Sequence, residues 1–228
     1  MADGLNEKRL YLFDIDGTLI NTGGAGGQAM RASFAALWGR ADGFAGIEFS
    51  GRTDRALIKE ALVANGLDNG GFEADLRRFK RSYFRRLTRT LPANNGGVLP
   101  GVTSFLDRLK AEPNATVALG TGNFRLGAGM KLAHYGLKDY FAGLGGFGDN
   151  VEDRALMIAD GIRSAQRRAG KHATVFVIGD TIHDMTAAKA NHAIAVGVTT
   201  GPASEAVLSK AGADIVLSTL ESAADRLL

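Results

Sequence analysis

Short apolar runs recur along this chain, and each stops at small or polar residues. They are Leu10–Phe13, Thr116–Leu119, Thr174–Ile178, Ala193–Val198 and Asp214–Leu217, with a weaker one at Phe141–Leu144. The runs are continuous rather than alternating, which predicts strands covered on both faces. Helical patterns separate the later ones: Val102–Lys110, Arg125–Tyr135, Ala155–Ala169, Met185–Ala190 and Ser204–Ala211. Strand and helix in turn predict an α/β fold built on a Rossmann-like parallel sheet with right-handed crossovers.

The first interval breaks the rhythm. A βαβ connection needs a dozen or more residues, but the stretch between the first two strong strands holds three helical patterns: Gly26–Trp38, Asp54–Asn65 and Phe72–Thr90. Glycine-rich stretches flank it, "TGGAGG" at Thr22–Gly27 and "NNGGVLPG" at Asn94–Gly101. We read residues 1–21 and 96–228 as the core domain and residues 22–95 as an inserted α-helical cap on flexible connectors. With 228 residues, 45% of them hydrophobic, the chain can bury a core plus such an insert.

Two aspartates, Asp14 and Asp16, follow the first strand in "LYLFDIDGT". "GTGN" (Gly120–Asn123) follows the second, and "GDTIHD" (Gly179–Asp184) follows the run at Thr174–Ile178. Open parallel sheets bind ligands beyond the carboxyl ends of their strands, so these stretches converge in one place. Two unit charges about 4 Å apart repel by roughly 4 kcal/mol at an effective dielectric near 20. Several carboxylates together therefore demand a cation or raised pKa values. An all-oxygen set suits Mg²⁺, which keeps waters and accepts a phosphate oxygen.

The ordered set "DIDGT", helical insert, "GTGN", "GDTIHD" resembles the haloacid dehalogenase-like hydrolase superfamily, and in particular its small-molecule phosphatases of the phosphoglycolate phosphatase type with a helical cap. The resemblance spans nearly the whole chain. It implies a Mg²⁺-dependent phosphatase of small phosphate monoesters, phosphoglycolate- or sugar-phosphate-like. Asp14 would be the nucleophile and Asp16 the general acid and base. Thr121, with the N–H groups of Gly122 and Asn123, would bind phosphate. Asp14, the Asp16 carbonyl and Asp180 would bind Mg²⁺, with Asp184 as ligand or support. The family's lysine before the fourth motif has no counterpart, since no lysine lies between Lys138 and Lys171. Arg154, in "GDNVEDRALM", is the substitute. Resemblance also turns "SGRTD" toward the active site, making Arg52 a candidate substrate contact and Thr53 a helix N-cap.

Other readings are weaker. Dehalogenases of this superfamily typically lack the second aspartate, and a phospho-acceptor signalling domain needs neither Asp16 nor a large cap. A phosphosugar mutase shares the capped architecture. The basic run Arg77–Thr90 carries Phe79, Tyr83 and Leu87 at a spacing of four, which reads as one apolar helix face with arginines in water rather than a nucleic-acid surface. "TGGAGG" lacks the Gly-Lys-Ser/Thr of a phosphate loop. The net charge of +3 suits small anionic substrates, and no run is long enough to span a membrane. "MADGLNEKRL" has no signal-peptide centre. The absence of cysteine rules out disulfides and thiolate metal sites and fits a reducing cytoplasm. A monomer or homodimer acting on a phosphorylated metabolite is the expectation.

Overall fold

The computed structural model describes residues 7–228; the first six residues of "MADGLNEKRL" lie outside the described residues. In chain order the elements are β1 (Arg9–Phe13), β2 (Ile20–Asn21), α1 (Ala25–Trp38), α2 (Asp54–Ala64), α3 (Phe72–Ala93), β3 (Gly97–Val98), α4 (Val102–Ala111), β4 (Ala115–Thr121) and α5 (Arg125–His134). They continue with β5 (Gly145–Phe147), α6 (Arg154–Ala169), β6 (Thr174–Gly179), α7 (Ile182–Ala190), β7 (Ile194–Val198), α8 (Glu205–Lys210), β8 (Ile215–Leu217) and α9 (Ala223–Leu227). Among the described residues no helix is long and apolar enough to cross a membrane.

Six strands form one parallel sheet in the order β5-β4-β1-β6-β7-β8. β1 lies inside it, and Leu10 to Phe13 are fully buried. On one face Tyr11 stacks on Phe176 with ring centroids 4.9 Å apart, and both Tyr11 and Phe13 meet Phe105 of α4 edge-on. On the other face Leu10 and Leu12 join Met157, Ile158 and Ala165 of α6. Helices on both faces are the reason the strand sequence is apolar throughout.

The edge strand differs from the reading above. Phe141–Leu144 is not a strand: Phe141 packs into the core, Ala142 takes a left-handed φ of 44°, and pairing begins at Gly145. Its first two residues are glycines, and at Gly146 α6 crosses it almost backbone to backbone. A methyl on Gly146 would run into the Met157 carbonyl and lie 2.9 Å from the Gly161 nitrogen. Hydrophobic pattern cannot report a strand selected for having no side chain.

Between β1 and β4 the chain leaves the sheet through a two-stranded antiparallel ribbon, β2 with β3. Beyond it α1, α2 and α3 bury a core of their own, with Phe34, Phe44, Ile58, Phe79 and Leu87 at its centre. Phe124, from the loop after β4, inserts into that same cluster. The apolar face of α3 is the one expected at Phe79, Tyr83 and Leu87, all fully buried, and the helix continues past Pro92 to Ala93.

Gly146→Ala should destabilise the protein by about 1–3 kcal/mol, the usual range for overpacking a tight core contact. Urea unfolding measures it; an unchanged midpoint would show that α6 and β5 can separate at little cost.

Candidate active site

Register brings the expected strand ends together. Phe13 pairs with Leu119 on one side and with Ile178 on the other, so the residues after all three strands emerge at one level. The Asp14 N–H extends the ladder to the Ile178 carbonyl at 2.9 Å. Asp14, Thr121 and Asp180 are all buried at this edge. Gly17 makes the turn after the first motif at a φ of 84°. The hydroxyl of Thr200 donates to its carbonyl at 2.6 Å, closing the turn against the chain after β7.

Oxygens of Asp14, Asp180 and Asp184 approach within 4.8 Å of one another. Arg154, the first residue of α6, sits among them because Asp153 caps that helix by accepting the Leu156 N–H at 3.0 Å. Its guanidinium hydrogen-bonds Asp184 Oδ1 through Nε (2.9 Å) and Nη2 (2.5 Å), and Nη2 forms an ion pair with Asp14 Oδ2 at 3.1 Å. Asp184 Oδ2 accepts the Thr181 N–H and hydroxyl, so both its oxygens are engaged in capping α7 and holding Arg154. Asp180 Oδ1 accepts the Thr18 hydroxyl at 3.0 Å.

Burial raises the Asp14 carboxyl; Arg154 opposes this, while Asp184 and Asp16 add to it. Asp180 is raised by burial and then by Asp184 and Asp14. Burial works against the Arg154 charge, but Asp184 and Asp14 outweigh it and the net shift is upward. The chain's own cation thus leaves Asp14 and Asp180 short of compensation. Buried, all-oxygen and under-neutralised, the donor set fits a hard divalent cation.

Asp16 has a different environment. Lys131 of α5 contacts both its oxygens, at 2.6 and 2.8 Å, and the carbonyl oxygen of the Asn123 side chain at 2.7 Å. The Asn123 amide nitrogen donates to Asp16 Oδ2 at 2.7 Å and to the Thr121 hydroxyl at 2.9 Å. Lys131 is buried and lies outside the stretch before the fourth motif where the resemblance places a lysine. Its signal was present: on α5 it shares the buried side with Gly127, Ala128 and Leu132. A lysine at core positions of an amphipathic helix needs an acidic partner.

The cap closes the site from above. Thr53 N-caps α2, accepting the Ala56 N–H at 3.3 Å. The Asp54 N–H donates to the Gly122 carbonyl at 2.7 Å, and its carboxylate accepts the Phe124 N–H at 2.8 Å. Sequence reading passed over Asp54 as an ordinary helix start. Burial pushes its carboxyl up to about 7, against Lys131 and the Phe124 N–H. Arg52 lines the cleft but pairs with Glu60 at 2.5 Å. The cleft measures about 670 Å³ and includes Gly24, Gly26 and Gly27. The glycine run read as a connector is therefore also the first turn of α1, and it forms part of the wall.

A parallel sheet bearing an acidic cluster at its strand ends beneath an inserted helical cap defines a class of capped α/β hydrolases. Residues 8–192 match the haloacid dehalogenase-like hydrolases, and the chain belongs to that family. It is 28% identical over 215 residues to the Probable phosphatase IndB of Dickeya dadantii, covering 93% of this chain and 90% of that one. It is 25% identical over 198 residues to the phosphoglycolate phosphatase of Agrobacterium fabrum, covering 84% and 81%. In fold it is similar to a hydrolase from Pseudomonas syringae, with a TM-score of 0.68, 22% identity and coverage of 96% and 98%.

The raised carboxyls set a pH dependence. The folded protein retains protons that unfolded carboxylates, with pKa near 3.9, have already released. Folding therefore weakens as pH rises above about 4, and for Asp54 the loss is complete above about 7. In chelator, Tm should fall between about pH 5 and pH 8. Asp54→Asn, which keeps an acceptor for Phe124, should gain stability over the wild type as pH rises, each kcal/mol giving about 2–4 °C in a chain of this size. A Tm difference that is flat with pH would count against a proton held on Asp54.

Proposed function

We propose that this protein is a Mg²⁺-dependent phosphatase of small phosphate monoesters that works through an aspartyl-phosphate on Asp14. The observation that carries the reading is the contrast between the two aspartates after β1. Asp14 is buried against a guanidinium, whereas the Asp16 side chain is 41% exposed and clamped on both oxygens by Lys131. The first environment suits a nucleophile aimed at an anionic group, and the exposure of Asp16 to the cleft puts it where alcohol and water would arrive. Membership of the hydrolase family and relatives named as phosphatases support the reaction class.

An Asp14 oxygen would attack phosphorus while the bond to the alcohol oxygen breaks, and Asp16 would give its proton to the departing oxygen. Asp16 would then take a proton from the water that attacks the acyl phosphate, releasing phosphate and restoring Asp14. The Thr121 hydroxyl accepts from Asn123 N and Nδ2, so its own hydrogen is left to donate to a phosphate oxygen. The N–H groups of Gly122 and Asn123 would add to that cradle. Arg154 would balance charge on Asp14 and phosphate, with Asp184 holding it in position. Asp14, the Asp16 carbonyl and Asp180 would hold Mg²⁺, which when bound offsets the repulsion between carboxylate and phosphate.

Asp14→Asn should leave the protein folded and lower kcat by at least roughly 10⁴, given that loss of a covalent nucleophile in a hydrolase costs about 10⁶. Wild-type activity should also vanish in chelator and return with Mg²⁺. Phosphate release from either the variant or the chelated enzyme at near wild-type rates would refute the corresponding assignment.

Asp16→Ala should cost about 10²–10⁴ on an alkyl phosphate, the usual worth of general acid–base catalysis. On p-nitrophenyl phosphate, whose alcohol leaves without a proton, the loss should be smaller. Equal losses on the two esters would remove Asp16 from the acid role.

A further inference from the structure

The wall of the cleft formed by the insert contains positive features that no carboxylate among the described residues satisfies. α1 begins without a capping side chain: its N-cap is Gly24, and its first turn holds no acid. Ala25 N–H bonds back to Thr22, and Gln28 N–H to Gly24. The N–H groups of Gly26 and Gly27, between them, have no acceptor among the described residues, and both glycines line the cleft. One turn on, Arg31 folds back over this end, its Nη1 3.1 Å from where a Gly27 Cβ would stand. Phe49, also on the cleft wall, stacks under its guanidinium at 4.8 Å. A cation folded against a helix N-terminus is electrostatically unfavourable unless an anion lies between them.

Four cations line the cleft. Arg154, Lys131 and Arg52 are each paired with carboxylates, and Arg31 alone has no acidic partner among the described residues. Asp42 and Glu48 border a neighbouring surface depression with it but stay beyond ion-pair distance. A second observation points the same way. Tyr83 is fully buried, lines the cleft, and its hydroxyl has no hydrogen-bond partner. That oxygen lies 3.8 Å from where a Gly26 Cβ would stand. The unmet N–H groups, the Tyr83 hydroxyl and Arg31 thus all lie at the first turn of α1, beside Gly26 and Gly27 on the cleft wall.

We infer that the N-terminus of α1, with Arg31 and Tyr83, is a subsite for a second oxyanion, so that the favoured substrates are phosphate monoesters whose alcohol portion carries a carboxylate or a second phosphate. This deepens the phosphatase reading and rests on it. Arg52, already neutralised by Glu60, is the weaker candidate for that contact. A Cβ at position 26 or 27 would stand 3.2 Å from Lys131 Nζ or 3.1 Å from Arg31 Nη1, in space the oxyanion would occupy.

The test uses ω-phosphooxy carboxylates of increasing chain length, each beside its uncharged amide and the corresponding bisphosphate. With the wild-type enzyme and Mg²⁺, kcat/KM should favour the anionic esters over the amide by about 10–100-fold, the range of a charge-assisted hydrogen bond. The relative rates of carboxylate and bisphosphate identify which oxyanion is taken. Arg31→Ala should erase most of that preference, with a much smaller loss on the amide and on p-nitrophenyl phosphate, and Arg31→Lys should restore part of it. Tyr83→Phe, which keeps the buried ring, should reduce the preference through KM. Gly27→Asp should raise Tm above Gly27→Asn by supplying the missing charge beside Arg31. If the wild type hydrolyses no ester, including p-nitrophenyl phosphate, the phosphatase reading fails by itself. The subsite is then tested by calorimetric titration of the unconsumed anionic ester against its amide. Equal rates or affinities for anionic ester and amide, or a preference untouched by Arg31→Ala, would overturn the inference.

Discussion

The structure is organised around an electrostatic constraint: carboxylates are concentrated in a dry place at the ends of parallel strands. Asp14, Asp180 and Asp184 are each less than a tenth exposed, and their oxygens come within 4.8 Å of each other. Like charges at such separation cost several kcal/mol in a protein environment. Arg154 answers part of this and is held by two of the carboxylates it serves. Burial first, and then the neighbouring carboxylates, raise the Asp14 and Asp180 carboxyls, which suits the site to a proton or a hard cation. Close backbone packing surrounds the acids. A side chain at Gly17 or Gly201 would strike Asp180, and one at Gly179 would strike Asp184.

The cap is tied to that centre by backbone as well as side-chain contacts. Asp54 gives its N–H to the Gly122 carbonyl and takes the Phe124 N–H on its carboxylate, gripping the loop after β4 from both ends. Thr53 reaches the Glu152 carbonyl just before Arg154, and Lys59 pairs with the Glu152 carboxylate. The cap therefore contacts the loop proposed to bind phosphate and the turn that presents Arg154. The same contacts that hold the insert in place also fix these loops. Loss of either Asp54 bond would loosen the peptide planes around Thr121 without touching the aspartates themselves.

The sheet was legible because strands covered on both faces carry a continuous apolar signal, and the acids at their ends stand out against it. The helical insert was legible from its length and period. What escaped is instructive. Strand β5 was misplaced onto Phe141–Leu144 because a strand crossed closely by α6 needs glycine, which has no hydropathy to read. The β2–β3 ribbon is two residues on each side, too short for any period. Lys131 and Asp54 were passed over because each partner is distant in sequence: Lys131 lies 115 residues from Asp16, and Asp54 lies 70 from Phe124. A motif search looks for a residue type at an expected offset, whereas Lys131 is displayed by helical periodicity two turns beyond "GTGN".

The cations paired with Asp14 and Asp16 also divide labour by their chemistry. Arg154 must touch two carboxylates at once, and a planar fork does this with fixed geometry. Lys131 meets three oxygens, two of Asp16 and one of Asn123, arranged around a point. A compact ammonium with three hydrogens matches that demand. Where the chain carries arginine two carboxylates must be held by one planar group, and where it carries lysine three oxygens surround one point.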